Sequence, residues 1–216
     1  MIPEFPAQVL DSLRQPLEDG AVVISRANRH VRYPARFQLI AAMNPCRCGG
    51  GPGDGACRRG PSCARQYQSR ISGPFFDRID LFYDTPPVTA MDLALPAPTE
   101  GTAEAARRVA AARNIQTERY QDHHPDEGRR AINADASARR LVDIASPDEA
   151  ASALLSDAAA KLALSARAYH RVLKVARTIA DLDGAGGVRR VHVAEALSYR
   201  RRVADEQGAL EPKLAH

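Results

Sequence analysis

Apolar residues recur every fourth position at Phe5, Val9, Leu13 and Leu17, which puts them on one face of a helix ending near Asp19 and Gly20. Two short strand patterns follow, "AVVIS" (21–25) and "HVRYP" (30–34), separated by the polar "RAN". They predict a β-hairpin with a basic tip built from Arg26, Arg29, His30 and Arg32. Residues 37–43, "FQLIAAM", form a continuous apolar run, the pattern of a parallel strand covered on both faces. After a glycine-rich loop come a short helix over 62–71, the turn "SGP" at 72–74 and a second strand candidate, "RIDLFYD", at 78–84. The proline-rich block 85–101 lacks periodicity, and the linker between two domains is placed at 91–102.

Everything beyond the linker reads as helical. Residues 102–120 are rich in alanine and arginine, both good helix formers. In "SPDE" the serine, Ser146, is expected to cap a helix with Pro147 at its first position and Glu149 completing a capping box. Ser165 is expected to cap a further helix whose Ala168, Val172, Val175, Ala176 and Ile179 form an apolar stripe, closed by Gly184. A last helix spans about 192–202. The expected organisation is an α/β part over 1–90 and an all-α part over 103–205, with a tail at 206–216 and no internal repeat.

Composition changes this picture little. An apolar content of 44% suffices for a core, and a net charge of +4 permits a nucleic-acid partner without requiring one. The sequence contains no apolar run of the roughly 18 residues a membrane span needs and no basic-then-apolar start, so a cytoplasmic protein without a membrane partner is expected. All four cysteines sit in one glycine-rich loop, which argues against a disulfide framework stapling the whole fold. His123 and His124, in the polar "QDHHPDEG", read as solvated loop residues.

The candidate chemistry starts where the apolar run ends, on Asn44. A carboxamide there is either the start of a turn before Pro45 or a polar tip at the carboxyl edge of a sheet, where open α/β folds bind ligands. From Phe5 to Arg78 the chain resembles, element by element, the second half of the ATPase core of magnesium-chelatase-like AAA+ proteins of the ComM/YifB group. The resemblance is carried by "PEFPAQVLDSLRQPLEDGAVVISRANRHVRYPARFQLIAAMNPCRCG", "SRISGPFFDRIDL" and, in the second half, "LSARAYHRVLKVARTIADLDG". It implies a partial AAA+ (P-loop NTPase) core followed by a helical lid and C-terminal domain.

The resemblance also implies roles. Asn44 is similar to sensor 1, which positions the water attacking the γ-phosphate without adding negative charge beside it. Arg78, in "FFDRID", is similar to the arginine finger that stabilises transition-state charge across a subunit interface. Arg167, in "SAR", is similar to sensor 2, a second phosphate contact. Taken singly, each arginine also reads as a surface ion pair. The basic hairpin resembles the pre-sensor-1 insertion of related helicases, in which Arg26, Arg29 and Arg32 would meet DNA phosphates, with Arg26 the best placed; strand alternation forbids all three from facing one way. A charged hairpin can also simply be a solvated edge.

Cys46, Cys48, Cys57 and Cys63 supply four soft ligands on a glycine-rich tether, a set that suits tetrahedral Zn²⁺, although the spacing departs from paired CxxC. The other readings are reduced thiols or a reversible disulfide such as Cys57 with Cys63.

The sequence contains no GxxxxGK[ST] phosphate loop, and the acidic pair expected to hold Mg²⁺ would fall just before "IPEF", where the sequence has only Met1. The expectation is therefore a fragment: the rear half of a motor that, when complete, uses ATP with Mg²⁺, forms a homo-hexamer and acts on single-stranded or branched DNA in branch migration, recombination and natural transformation. The alternatives are a magnesium-chelatase-type ATPase subunit and a non-catalytic, zinc-dependent interaction module. An incomplete sheet is expected to leave apolar edges uncovered.

Overall fold

The structure is a computed structural model. It describes residues 1–27, 29–49, 57, 59, 62–86, 88–96, 99–123 and 132–200. His124, most of the glycine cluster, the 206–216 tail and the end of the predicted 192–202 helix lie outside the described residues. The chain divides into two compact units, Met1–Ile79 and Asp80–His216.

The first unit opens with a 3-10 turn and two abutting helices, α1 (Ala7–Ser12) and α2 (Arg14–Asp19), where the sequence predicts one. The break falls at Leu13 because Pro16 has no N–H to continue the ladder but fits the first turn of a new helix. The predicted apolar face is not the buried one: Leu10 and Pro16 are buried, while Phe5 and Val9 face solvent. Gly20 ends α2 at φ +61°, its amide donating to Pro16 O, and a Cβ there would lie 2.9 Å from Arg36 Cγ; both the backbone angle and the close approach require glycine.

The hairpin forms as predicted, β1 (Ala21–Arg26) pairing antiparallel with β2 (Arg29–Pro34). Its register sets Val22 against Tyr33, Ile24 against Val31 and Arg26 against Arg29 on one face, and Val23 against Arg32 and Ser25 against His30 on the other.

The predicted strands at 37–43 and 78–84 do not form ladders. Among the described residues the sheet has only β1 and β2, and the backbone of 37–43 is reached only by Ile2, whose N–H donates to Ala42 O at 3.0 Å. A strand exists through its neighbour's hydrogen bonds, and an apolar run without one stays extended and bare. Ile40 is 85% exposed and Tyr83 75%. Helices α3 (Ser62–Gln68) and α4 (Gly73–Phe76) complete the unit and contribute buried Tyr67, Phe75 and Phe76. The "SGP" turn is the start of α4: Ser72 Oγ accepts from Phe75 N and donates to Asp11 Oδ1 at 2.7 Å, tying α4 to α1.

The second unit is helical. It comprises α5 (Ala90–Leu93), α6 (Thr102–His123), a 3-10 turn at Asn133–Asp135, α7 (Ala138–Ala145), α8 (Glu149–Lys161), α9 (Ala166–Leu182) and α10 (Arg190–Ser198). A capping box between Thr89 and Asp92 makes one turn of helix inside the predicted linker, and His123 ends α6 instead of lying in a loop. α9 is central: its Val172, Leu173, Ala176, Ile179 and Ala180 pack in one cluster with Leu141, Leu155, Val188 and Val193 from its neighbours. Ser165 caps it as expected, accepting from Ala168 N at 3.2 Å.

The "SPDE" segment is read differently by the structure. Ser146 sits at φ +38° as the left-handed C-cap of α7, and the N-cap of α8 is Asp148, whose Oδ1 accepts from Ala151 N at 2.7 Å. Pro147 is held beside Val188 in a parallel bridge, so it is unavailable as the first residue of the helix. Asp148→Ala is expected to cost about 1 kcal/mol of the unit's stability by urea unfolding, and Ser146→Ala much less of any capping contribution to α8.

α9 also carries a buried charge network that the stripe concealed. Asp181, with no exposed side-chain surface, accepts from Arg119, from Asn133 Nδ2 at 2.7 Å and from Arg177 Nε at 3.0 Å. Arg177, equally buried, also donates Nη2 to Asp181 Oδ1 at 2.8 Å and to Ala185 O at 2.6 Å, and Nη1 to Gly186 O at 2.9 Å. The loop after α9 is thus fastened to the same charge-assisted network.

Candidate functional site

The hairpin tip is exposed on both strands, and its register divides the three arginines. Arg26 and Arg29 stand directly opposite each other, beyond the half-exposed Ile24 and Val31. Arg32 projects from the other face, where His30 Nδ1 and Ser25 Oγ lie 2.8 Å apart. Like charges at a cross-strand pair oppose hairpin formation, and an anion between them would remove that cost.

Asn44 is half-buried at the end of the bare extended segment. The residue after it is held by Gln68 of α3, whose Nε2 donates to Pro45 O at 3.2 Å. Arg78 is anchored at three points: Nε donates to Arg14 O at 3.0 Å, Nη1 to Pro74 O at 2.6 Å, and Nη2 pairs with Glu18 at 2.5 Å. Both residues belong to the first unit. Arg167 lies exposed in the first turn of α9, in the second unit, one turn before Arg171, which pairs with Asp80 at 2.6 Å. Gln68 and Glu18, which hold Pro45 and Arg78, escape a sequence reading because no local pattern gives either a partner; only their packing reveals them.

The four cysteines are brought together. Their Sγ atoms all lie within 4.8 Å of one another, with Cys46 to Cys57 at 3.8 Å and Cys48 to Cys63 at 3.6 Å. All four are free thiols, and Cys57 and Cys63, the pair considered from sequence, belong to the same cluster. Cys46 and Cys63 are buried, Cys57 is half-buried and Cys48 is exposed. The hydrogen bond with Cys63, then partial burial, pushes the Cys48 thiol up to about 11. Cys57 is raised too: a backbone hydrogen bond at Arg59 lowers it, but burial and the neighbouring thiols outweigh that.

Two family models match the chain in succession. The magnesium chelatase subunit ChlI model covers residues 1–93, and the model of the ChlI C-terminal region covers residues 99–200. Competence protein ComM of Haemophilus influenzae is 42% identical over 203 residues, 94% of this chain and 38% of that protein. YifB of Escherichia coli is 38% identical over 200 residues, 92% of this chain and 38% of that one.

The chain belongs to the magnesium-chelatase-like family, in its ComM/YifB group.

A protein of Mycobacterium tuberculosis is similar at 37% identity over 199 residues, again 92% of this chain and 38% of its own length. This magnesium-chelatase-like chain thus spans 38% of the length of the relatives it matches. The match runs through both units and includes the hairpin, Asn44, the cysteines, Arg78 and Arg167. No helix among the described residues is long and apolar enough to cross a membrane.

Proposed function

We propose that this chain supplies the rear half of an AAA+ (P-loop NTPase) core, residues 1–90, and, across a linker at 91–102, the helical lid and C-terminal domain, residues 103–205, of a cytoplasmic motor that moves on DNA. The observation that carries the DNA reading is the exposed hairpin tip, where Arg26 and Arg29 oppose each other and Arg32 lies on the reverse face. Two guanidiniums at that spacing suit a phosphodiester, a contact that is independent of base sequence and weakened by salt. The exposed apolar segment at 37–43 favours completion of the sheet by a front half that brings the phosphate loop and the Mg²⁺-holding acids. In the assembled homo-hexamer, Asn44 would orient the attacking water, Arg78 would reach a neighbour's nucleotide and Arg167 would contact phosphate from the lid. The name of ComM, a competence protein, supports a substrate of single-stranded or branched DNA in recombination and transformation. A chelatase subunit would need a protein partner at the hairpin, and the basic tip favours phosphate instead.

The test is the affinity of the chain for fluorescent single-stranded and four-way-junction DNA, measured with and without Arg26→Glu. The substitution replaces a like-charge cross-strand pair with an opposite-charge one, so the hairpin is stabilised and lost binding is not lost folding. Binding is expected to weaken on both DNAs, with a slope of log affinity against log salt shallower by about one. Unchanged affinity and slope would remove the hairpin from the DNA interface.

A further inference from the structure

The four-cysteine centre is independent of the motor reading and stands on its own geometry. A thiolate lies about 2.3 Å from tetrahedral zinc, so the edges of a ZnS₄ tetrahedron measure about 3.8 Å. The Cys46 to Cys57 and Cys48 to Cys63 separations of 3.8 and 3.6 Å have that length, and the whole set fits within 4.8 Å. Disulfides need sulfurs at about 2.0 Å, and all four thiols here are free. Cys46 and Cys63 close the centre from the protein side, while Cys48 leaves a route for the ion to enter.

We propose that Cys46, Cys48, Cys57 and Cys63 bind one zinc ion, which clips the chain immediately after Asn44 to the start of α3. The ligand type argues for zinc among divalent ions: all-thiolate tetrahedral sets select soft metals, and a closed set of four leaves no position for water or substrate, so the ion is structural. Its place in the fold gives the reason for it. Cys46 and Cys48 follow the exposed segment 37–43, Cys63 lies in α3, and Gln68 of α3 donates to Pro45 O beside the cysteines. Metal binding supplies ordering energy where apolar burial is small. Asn44, two residues from the first ligand, is held in place as a consequence.

The full chain, purified under reducing conditions without added metal, is expected to be colourless and to contain one zinc per molecule by elemental analysis. Replacement by Co²⁺ should give the red-region absorption of a tetrahedral ion and a thiolate-to-metal charge-transfer band with the intensity of four thiolates. Cys48→Ser, which alters the exposed ligand, should weaken zinc affinity at least about tenfold, and Arg47→Ala, between two ligands, should leave it unchanged. If Cys48→Ser fails to fold, the cobalt spectrum of the unaltered chain decides the matter. A metal-free parent, a red iron protein, a cobalt spectrum with fewer than four thiolates, or a Cys48→Ser chain that keeps its zinc at parental affinity would each overturn the proposal.

Discussion

Asp181→Ala is expected to destabilise the helical unit by about 3–5 kcal/mol, a large share of the about 5–15 kcal/mol that ordinarily holds a domain folded. The cost comes from the arginines more than from the lost carboxylate. Arg177 has no solvent contact, and without Asp181 its charge is left buried with only the carbonyls of Ala185 and Gly186 as partners. Arg119 and Asn133 lose their shared acceptor, which removes one tie of α6 and of the Asn133–Asp135 turn to α9, while Asn133 Nδ2 still reaches Thr178 Oγ1 at 3.1 Å. Asp181→Asn keeps the shape and one acceptor, so its penalty should be smaller. Urea unfolding followed by circular dichroism separates these outcomes; a loss below about 1 kcal/mol for the alanine variant would show that the network contributes no more than a surface pair. Acid provides an independent check. Burial alone would raise the Asp181 pKa, but hydrogen bonds from Arg119 and Asn133 and the charges of Arg177 and Arg119 outweigh it and hold the carboxyl below its usual range. A depressed folded value means that the stabilisation is complete above the unfolded pKa of about 3.9 and is lost as pH falls through the folded one. The unaltered chain should therefore lose stability below about pH 4, and Asp181→Asn should show a flatter acid limb.

Arg78→Ala is expected to lower ATP turnover about 10³-fold or more in the motor assembled with its phosphate-loop half, with nucleotide binding retained. Arg78 has a competing structural role, since it holds the carbonyls of Arg14 and Pro74 and pairs with Glu18. Arg78→Lys distinguishes the two. A lysine can restore charge opposite Glu18 and so recover stability, but it lacks the planar fork that spans two phosphate oxygens, so turnover should stay low. Recovery of turnover in the lysine variant would reduce Arg78 to an ion pair.

What the sequence disclosed and what it concealed follow from how local each signal is. The hairpin strands were legible because alternation and a polar turn are local, and so was the Ser165 cap, where a hydroxyl precedes a helical stripe. The 37–43 run is apolar, but a ladder depends on a partner and not on the run itself, and among the described residues the run is neither paired nor covered. Ser146 was misassigned because Ser-Pro-Asp-Glu offers two capping residues, and the Pro147 bridge to Val188, a contact across 41 positions of sequence, selects Asp148. The Asp181 network is hidden behind the apolar stripe of α9; its local signal is Arg177 and Asp181, an i, i+4 pair of opposite charge beside Ala176 and Ala180. For the cysteines, sequence supplied the ligand type, and only the fold showed that four irregularly spaced thiols converge.

The most direct test of a DNA motor is ATP turnover by the assembled protein with and without branched DNA, comparing the parent with Arg26→Glu. DNA should stimulate turnover in the parent, and Arg26→Glu should keep the basal rate while losing the stimulation, if the hairpin meets DNA phosphates outside the nucleotide site as proposed. Absence of stimulation in the parent, or equal stimulation in the variant, would contradict the coupling of ATP hydrolysis to DNA through this hairpin.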